Sequence, residues 1–173
     1  MSNQTNPHTT HMENLRQSYR PTHITTLFVG ESAPHGGTFF YNQNSGLFHE
    51  IRKAFHGNGH FLEDFKRNGF YLDDLVLEPV NHLANKERRS LCRQSVSSFV
   101  ERLKNYKPKA IVILLHSIKP MVLEAMREAG ISYEPYCTPY PGFGNQPRFQ
   151  KAMIEIIPNL PVTRGTQWKE YHT

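Results

Sequence analysis

The sequence predicts an α/β protein, a three-layer α/β/α sandwich around a central, mainly parallel four-stranded sheet. Short apolar runs rich in β-branched residues alternate with amphipathic segments, which is the order of a parallel sheet covered by helices. One run, KAIVILL at residues 109–115, is apolar throughout, which is typical of a strand covered on both faces.

Each strand is predicted from a short run that ends near a turn-forming residue. ITTLFVG at residues 24–30 is a strand ending in glycine, and FYLDDLVLEPV at residues 70–80 is a second strand that stops near Pro79. KAIVILL is the third strand. A short fourth strand lies around Tyr136 and Cys137, before a loop rich in proline and glycine.

Helical spacing of apolar residues predicts the covering layers. Residues 47–55 and 61–69 make two short helices, and residues 90–106 give the clearest amphipathic pattern, which predicts one long helix. Pro120 fits the first turn of the next helix. The last helix is predicted over residues 149–157.

The length of 173 residues fits one domain. Residues 1–22 are polar and are expected to be a disordered or loosely attached tail; residues 23–158 form the domain, and residues 159–173 are a C-terminal extension. A net charge of +5 and a pI of about 9.3 suit a polyanionic partner without requiring one.

The cysteines and the hydropathy of the chain indicate which cofactors, compartment and membrane association to expect. Cys92 and Cys137 form no CxxC pair, so we expect free thiols and assign no metal, iron–sulfur cluster or other cofactor. No apolar run approaches the length of a membrane span, and the start of the chain lacks an apolar leader segment. The expectation is a cytoplasmic protein without a membrane partner, and a monomer.

Several segments together resemble the uracil-DNA glycosylase superfamily. LFVGESAP resembles its first motif, in which a strand runs into glycine, a polar catalytic residue, small residues and proline. GGTFFYNQNSGLF is similar to its base-stacking aromatic and the helix that follows. CRQSVSSFVERLKNYKPKAIVILLHSIKPMVLEAM is similar to the long helix, Lys-Pro-Lys turn and strand of the thermophile-type uracil glycosylases; mismatch-specific uracil glycosylases are also close in pattern. The resemblance covers residues 24–157.

The sequence departs from that superfamily at two positions. TPYPG matches the second motif, but Tyr140 stands where a histidine is usual. The strand residue that reads the base edge is usually asparagine, and here DDLV places Asp74 or Asp73 there. An ionised aspartate offers only acceptors, so it favours an exocyclic amine over a uracil carbonyl. The preferred lesion is therefore expected not to be plain uracil.

The resemblance implies two catalytic residues. Glu31, in the turn after Gly30, would stabilise an oxocarbenium-like sugar and accept the proton of the attacking water. The alternative is that Glu31 caps the next turn or is simply solvated. Tyr140 would donate its hydroxyl to the departing base.

The base would be bound by an aromatic platform and by polar strand-end residues. Phe40 is the first choice for stacking a flipped base, with Phe39 or Tyr41 as alternatives and at least one of the three in the core. Asp74 and Asn81 would read the base edge. In the competing interpretation, Asp73 or Asp74 pairs with a basic side chain.

DNA contacts are expected in TPYPGFGNQPRF and the helix after it. Phe143 would be an apolar wedge in the base stack, or else an ordinary loop aromatic on the surface. Asn145, Arg148 and Lys151 would contact the backbone. His116 ends a strand and is expected to be a satisfied histidine.

The favoured function is therefore a monofunctional DNA glycosylase that hydrolyses the bond to a damaged or mismatched base. The alternative is a non-catalytic module on the same scaffold that binds nucleic acid or a nucleotide. A third interpretation, a flavodoxin-like or nucleotide-binding protein with GESAPHGG as its phosphate loop, is weaker because neither GxGxxG nor a Walker lysine is present.

Overall fold

A computed structural model describes residues 7–163 of the chain. Its centre is a four-stranded sheet with the strand order β2-β1-β3-β4, in which every pair of neighbours is parallel. The strands are β1 (Thr26–Gly30), β2 (Phe70–Asp74), β3 (Ala110–Ile113) and β4 (Tyr136–Cys137). β1, β2 and β3 are buried at every position, as expected of strands covered on both faces.

Seven α-helices lie within the described residues and complete the predicted α/β/α sandwich. Their bounds are α1 Pro7–Ser18, α2 Gly46–Ala54, α3 Phe61–Arg67, α4 Asn85–Gln94, α5 Val96–Tyr106, α6 Lys119–Glu128 and α7 Gln146–Ile156. α2 packs on α7, α3 on β2, and α5 on α6. Three 3-10 turns lie at Phe40–Asn42, His116–Ile118 and Ile157–Asn159.

The buried apolar residues form one continuous cluster. Phe28 of β1 lies at the centre of an aromatic group, with ring centroids 5.2 Å from Phe65, 5.9 Å from Phe70 and 6.1 Å from Phe55. Such tilted and edge-on pairs are the favoured arrangements of buried rings. They pack α2 and α3 against the sheet.

The expectation of a loose tail over residues 1–22 is wrong from Pro7 onward, because Pro7–Ser18 is helix α1. Met12 is 3% exposed and Arg16 is 2% exposed, so the helix is docked on the domain. Sequence reasoning missed this because an arginine is rarely buried unless ion pairs hold it. Residues 1–6 of the predicted tail and 164–173 of the predicted extension lie outside the described residues.

Two element boundaries also differ from the prediction. The single helix expected over residues 90–106 is two helices that meet at Ser95, whose ψ of −9° departs from the helical value. β2 ends at Asp74 and does not extend toward Pro79. Within residues 7–163, no helix is both long and apolar enough to cross a bilayer.

Candidate functional site

The carboxyl ends of the parallel strands lie along one edge of the sheet, which we call the carboxyl edge. The segments after Gly30, Asp74, Ile113 and Cys137 meet there. β1 lies between β2 and β3, so the direction of winding reverses beside β1. Open α/β sheets bind ligands at such a switch point.

Glu31 directly follows β1 and is held by an arginine from α4. Arg88 Nε lies 2.9 Å from both carboxylate oxygens of Glu31, and Nη2 also contacts Oε2. The Glu31 side chain is 12% exposed and that of Arg88 is 34% exposed. The hydrogen bond to Glu31 raises the pKa of Arg88, against a smaller opposing effect of burial. The carboxylate is thus fixed in direction while water still reaches the pair.

Sequence reasoning placed Glu31 at this edge but missed its partner. Arg88, Arg89 and Arg93 all lie on α4, and Arg88 is the one whose guanidinium group contacts Glu31. Arg89 and Arg93 are exposed, and Arg93 Nη1 lies 3.2 Å from Glu124 Oε2. Because the three arginines carry the same charge, the sequence does not show which of them turns toward the sheet.

Cys92 lies one helical turn beyond Arg88 and faces the same carboxylate. Its Sγ is 3.8 Å from Glu31 Oε1. Burial, reinforced by the nearby Glu31 charge, raises the pKa of Cys92 to about 11. The thiol is therefore protonated at neutral pH, which makes it a weak donor to Glu31 and a poor nucleophile.

Asp73 accepts hydrogen bonds from four different residues. Its oxygens accept hydrogen bonds from Arg16, Arg102, the Tyr106 hydroxyl at 2.9 Å and the Asp74 backbone N–H at 2.8 Å. Burial alone would raise the pKa of Asp73, but the two guanidinium groups and these hydrogen bonds hold it below the ordinary value. Asp73 is a structural anion of the core.

Asp74 is held on one side only. Its Oδ2 accepts from Arg16 Nη2 at 2.9 Å, and no donor among the described residues bonds its Oδ1. Oδ1 lies against the last residue of β1, because a Cβ added at Gly30 would overlap it. Burial raises the pKa of Asp74, Arg16 opposes this and Asp73 adds to it. The alternative that Asp73 or Asp74 pairs with a basic side chain is confirmed.

The predicted aromatic platform is not accessible. Phe39, Phe40 and Tyr41 are 1%, 3% and 2% exposed. Phe40 packs on Phe48 with a centroid distance of 5.7 Å. The Tyr41 hydroxyl donates to Leu72 O at 2.9 Å and accepts from Leu72 N at 2.8 Å. The prediction that one of these rings stacks a flipped base is wrong for the described conformation, because all three belong to the core.

Helix α1 and the residue after it cover part of this aromatic segment. The Arg16 guanidinium carbon lies 5.4 Å from the Phe39 ring centroid. Tyr19 stacks on Tyr41 at 5.4 Å with an interplanar angle of 15°. The segment predicted to be a tail therefore covers part of the aromatic segment that was expected to supply the platform.

The loop after β4 presents Tyr140 and Phe143. Tyr140 is 39% exposed, and its ring contacts the backbone of Gly142, where an added Cβ would come within 2.7 Å. Burial raises the pKa of Tyr140, and the charges of Asp74 and Glu31 add to this while Arg88 opposes it. Phe143 is 99% exposed and has a φ of +53°, in the left-handed region that β-carbon-bearing residues rarely adopt.

The remaining predicted contacts lie on the surface of the same region. Asn81 is exposed and its Oδ1 accepts from the His35 backbone N–H at 2.7 Å, which ties the loops after β1 and β2 together. Asn145 precedes α7, and Arg148 and Lys151 are exposed on that helix. None of these residues hydrogen-bonds Glu31, whose partners among the described residues are Arg88 and Cys92.

Histidines at this edge form pairs that the sequence did not indicate. The rings of His35 and His82 lie with centroids 4.3 Å apart. His116 Nδ1 is 3.2 Å from Cys137 Sγ, so the expectation of a satisfied histidine at the end of β3 is confirmed. Within residues 7–163, no three His, Cys, Asp or Glu side chains are grouped closely enough to hold a metal ion.

No protein-family model matches the chain, and no curated protein matches it. The function proposed below therefore depends on the carboxyl edge itself and on the resemblance of its motifs to the glycosylase superfamily.

Proposed function

We propose that this protein is a DNA glycosylase-like enzyme that hydrolyses the N-glycosidic bond of a damaged or mismatched base, with a preferred lesion other than plain uracil. The observation that carries the proposal is the Glu31–Arg88 pair, a carboxylate fixed by two guanidinium nitrogens at the carboxyl end of β1. This is the catalytic position that the strand-Gly-acid motif implies.

Glu31 would act on both reactants of the hydrolysis. The bond from C1′ to the base nitrogen breaks and its electron pair leaves with the base, while the oxygen of a water molecule bonds C1′ and a water proton passes to Glu31. The Glu31 carboxylate also stabilises the positive charge that develops on the sugar. Arg88 keeps the carboxylate in one orientation, so little reorganisation is needed when the sugar arrives.

Tyr140 would serve the departing base. Because burial raises its pKa, the hydroxyl stays protonated at neutral pH and remains a hydrogen-bond donor. Donation to the base as negative charge develops on it stabilises the transition state, in the place where the superfamily motif has histidine.

The surface around this edge suits a DNA backbone. Phe143 is a fully exposed aromatic side chain on a loop beside the site, which favours insertion into the base stack over packing on the protein. Arg148 and Lys151 lie on the helix that follows and are free to neutralise phosphates, while Asn145 can donate to the backbone. The net charge of +5 agrees with a polyanionic partner.

One observation favours a second candidate, a nucleic-acid-binding module without catalysis. All three aromatics expected to stack a flipped base are buried, so the site lacks that platform. In this case Phe143 and the basic helix would bind DNA, and the Glu31–Arg88 pair would stabilise the fold.

The test is a panel of single- and double-stranded oligonucleotides carrying uracil, hypoxanthine, xanthine or a mismatch, scored for abasic sites. We expect release from at least one substrate and a loss of at least about 100-fold in rate for Glu31→Gln. Glu87→Gln is the matched control, because Glu87 is an exposed carboxylate on the same helix as Arg88. Its rate should equal that of the wild type.

The outcomes separate the two candidates. Binding of DNA with no release from any substrate favours the non-catalytic module and sinks the enzyme. Release that Glu31→Gln leaves intact removes the mechanism above. Failure to bind any oligonucleotide eliminates both candidates.

A further inference from the structure

Apart from the Glu31 site, the carboxyl edge carries a thiol beside an imidazole ring. His116 Nδ1 lies 3.2 Å from Cys137 Sγ. The parallel pairing of β3 with β4 brings these two residues together, because Ile113 stands opposite Cys137 and the chain after β3 passes into the 3-10 turn that begins at His116. Neither His116 nor Cys137 has a role in the function proposed above.

A reagent in solution can reach this pair. Cys137 is only partly buried and His116 is exposed. Cys137 ends β4, which is the edge strand of the sheet beside β3. Cys92, the other free cysteine, is 2% exposed and faces the Glu31 carboxylate. The two thiols of the chain therefore differ both in access and in the charge of the neighbouring group.

The geometry directs the thiol proton of Cys137 toward His116. A second acceptor, the backbone oxygen of Thr138, lies 4.0 Å from Sγ, which is longer than the 3.2 Å to the imidazole nitrogen. A thiol in hydrogen-bonding reach of an imidazole is the arrangement that activates a sulfur nucleophile, because the ring nitrogen can take the proton as the sulfur attacks. Beside Cys92 stands the Glu31 carboxylate instead, whose negative charge opposes formation of a thiolate.

The charged groups that act on Cys137 are His116 and Lys119. Burial raises the pKa of Cys137, and the positive charge of Lys119 opposes that effect. Lys119 begins α6, directly after the turn that carries His116. The thiol is therefore protonated at neutral pH and needs a base to react, while the cation favours the thiolate and an anionic reagent over a cationic one.

We propose that Cys137 is a modification site, at which His116 acts as the general base for reversible S-thiolation by a small anionic disulfide. The Cys137 S–H proton passes to His116 Nδ1, the Cys137 sulfur bonds one sulfur of the reagent, and the S–S bond of the reagent breaks. The departing thiolate takes up the proton. Cys137 is thereby oxidised to a mixed disulfide, and the reagent is reduced to one thiol. Neither Glu31 nor DNA takes part, so this modification is independent of the function proposed above.

The first test follows thiolation of the reduced full-length chain by glutathione disulfide at neutral pH, with intact-mass and peptide mass spectrometry. We expect one added glutathione, located on Cys137 and removed by dithiothreitol, and a reaction at Cys92 that is at least about tenfold slower. Cys137→Ser should abolish the fast adduct, and Cys92→Ser should keep it. Modification of both cysteines at equal rates, or of neither, overturns the proposal.

His116→Ala tests the base, in a Cys92→Ser background that leaves one thiol. At neutral pH the variant should slow thiolation of Cys137 by about tenfold, because the supply of thiolate sets the rate of exchange. At alkaline pH hydroxide forms the thiolate without His116, so the two rates should converge. His49→Ala, which removes an exposed histidine of α2, is the matched control and should keep the parent rate at both pH values. An unchanged rate for His116→Ala, or an equal loss at neutral and alkaline pH, overturns the general-base role.

The charge of the reagent tests the expected class of disulfide. Thiolation of Cys137 is measured with glutathione disulfide, which is an anion, and with cystamine, which is a dication. Lys119→Gln should lower the ratio of the first rate to the second by about threefold, because a cation beside the reaction is lost. Lys53→Gln, which removes an exposed lysine of α2, should leave the ratio unchanged. If Lys119→Gln also leaves it unchanged, the preference for an anionic disulfide is rejected.

Discussion

Two arginine–carboxylate clusters lie at the carboxyl edge, and water reaches them very differently. In the first, Glu31 and Arg88 are 12% and 34% exposed. In the second, the side chains of Arg16 and Asp73 are 2% and 1% exposed. A pair that water reaches can exchange its partner for a ligand at little cost, whereas breaking a buried pair leaves an uncompensated charge in the core. Residues of the first kind are suited to chemistry, and those of the second to holding the site in place.

The largest expected effect comes from breaking the buried cluster at Asp73. Asp73→Asn leaves Arg16 and Arg102 without the carboxylate that both contact, so we expect a loss of about 3–5 kcal/mol in the free energy of unfolding. Urea denaturation measures this loss. Glu101→Gln breaks an exposed pair with Lys104 and should change stability by no more than about 0.5 kcal/mol. If the two substitutions changed the free energy of unfolding equally, burial of the Asp73 cluster would not explain its contribution to stability.

Asp73 and Asp74 of this cluster should contribute to stability with opposite dependences on pH. The pKa of Asp73 is lowered in the folded state, so its contribution is present above its unfolded pKa of about 3.9 and is lost as the pH falls through the folded value. The pKa of Asp74 is raised, so its effect has the other sign, and stability falls as the pH rises from about 3.9 through the folded value. Asp74→Asn should therefore flatten stability above about pH 4, as thermal unfolding across pH will measure.

The next effect is at the contact between β1 and β2. Gly30→Ala places a Cβ against Asp74 Oδ1 in a fully buried strand, and we expect a loss of about 1–3 kcal/mol as Asp74 is displaced. Gly36→Ala is the control, since an added Cβ there meets nothing within 4 Å. It should leave the free energy of unfolding within about 0.5 kcal/mol of the wild type. An equally small change for Gly30→Ala would show that Asp74 moves freely and is not held against β1 by its bond to Arg16.

Arg88→Met tests the exposed cluster. Because Arg88 is a third exposed, the change in stability should stay within about 1 kcal/mol. The rate of base release should nevertheless fall about 100-fold, since the Glu31 carboxylate loses the groups that orient it. Arg89→Met removes the exposed neighbour and should leave the rate unchanged. A large stability loss with little loss of rate for Arg88→Met would reverse the assignment of the two clusters.

The parallel sheet could be predicted from the sequence because its strands are buried on both faces. Such strands appear as short apolar runs that end near turn residues, and both signals are local. Sequence reasoning also assigned Glu31 and Tyr140 to one site through the resemblance of their motifs, and both follow strands whose carboxyl ends lie at the same edge of the sheet. It failed for Arg16 and Arg88, whose roles depend on partners 57 residues away in the chain. It failed for Phe40 as well, because the pattern of an aromatic segment does not show whether the segment faces a ligand or the core.

The smallest expected effect on stability is at Phe143, which lies in the exposed loop after β4. The side chain is 99% exposed at a φ of +53°, so Phe143→Asn removes almost no packing and introduces a residue that tolerates this backbone conformation. We expect the free energy of unfolding to be unchanged or to rise by less than about 1 kcal/mol.

If the Phe143 ring inserts into the base stack, the affinity of Phe143→Asn for duplex DNA should be about tenfold lower than that of the wild type. Leu123→Asn, at a 36% exposed position on α6, is the comparison for loss of a surface apolar group and should not change DNA affinity. If Phe143→Asn leaves the affinity unchanged, the exposed Phe143 ring has no role in DNA binding. The contact with DNA would then depend on the basic residues of α7.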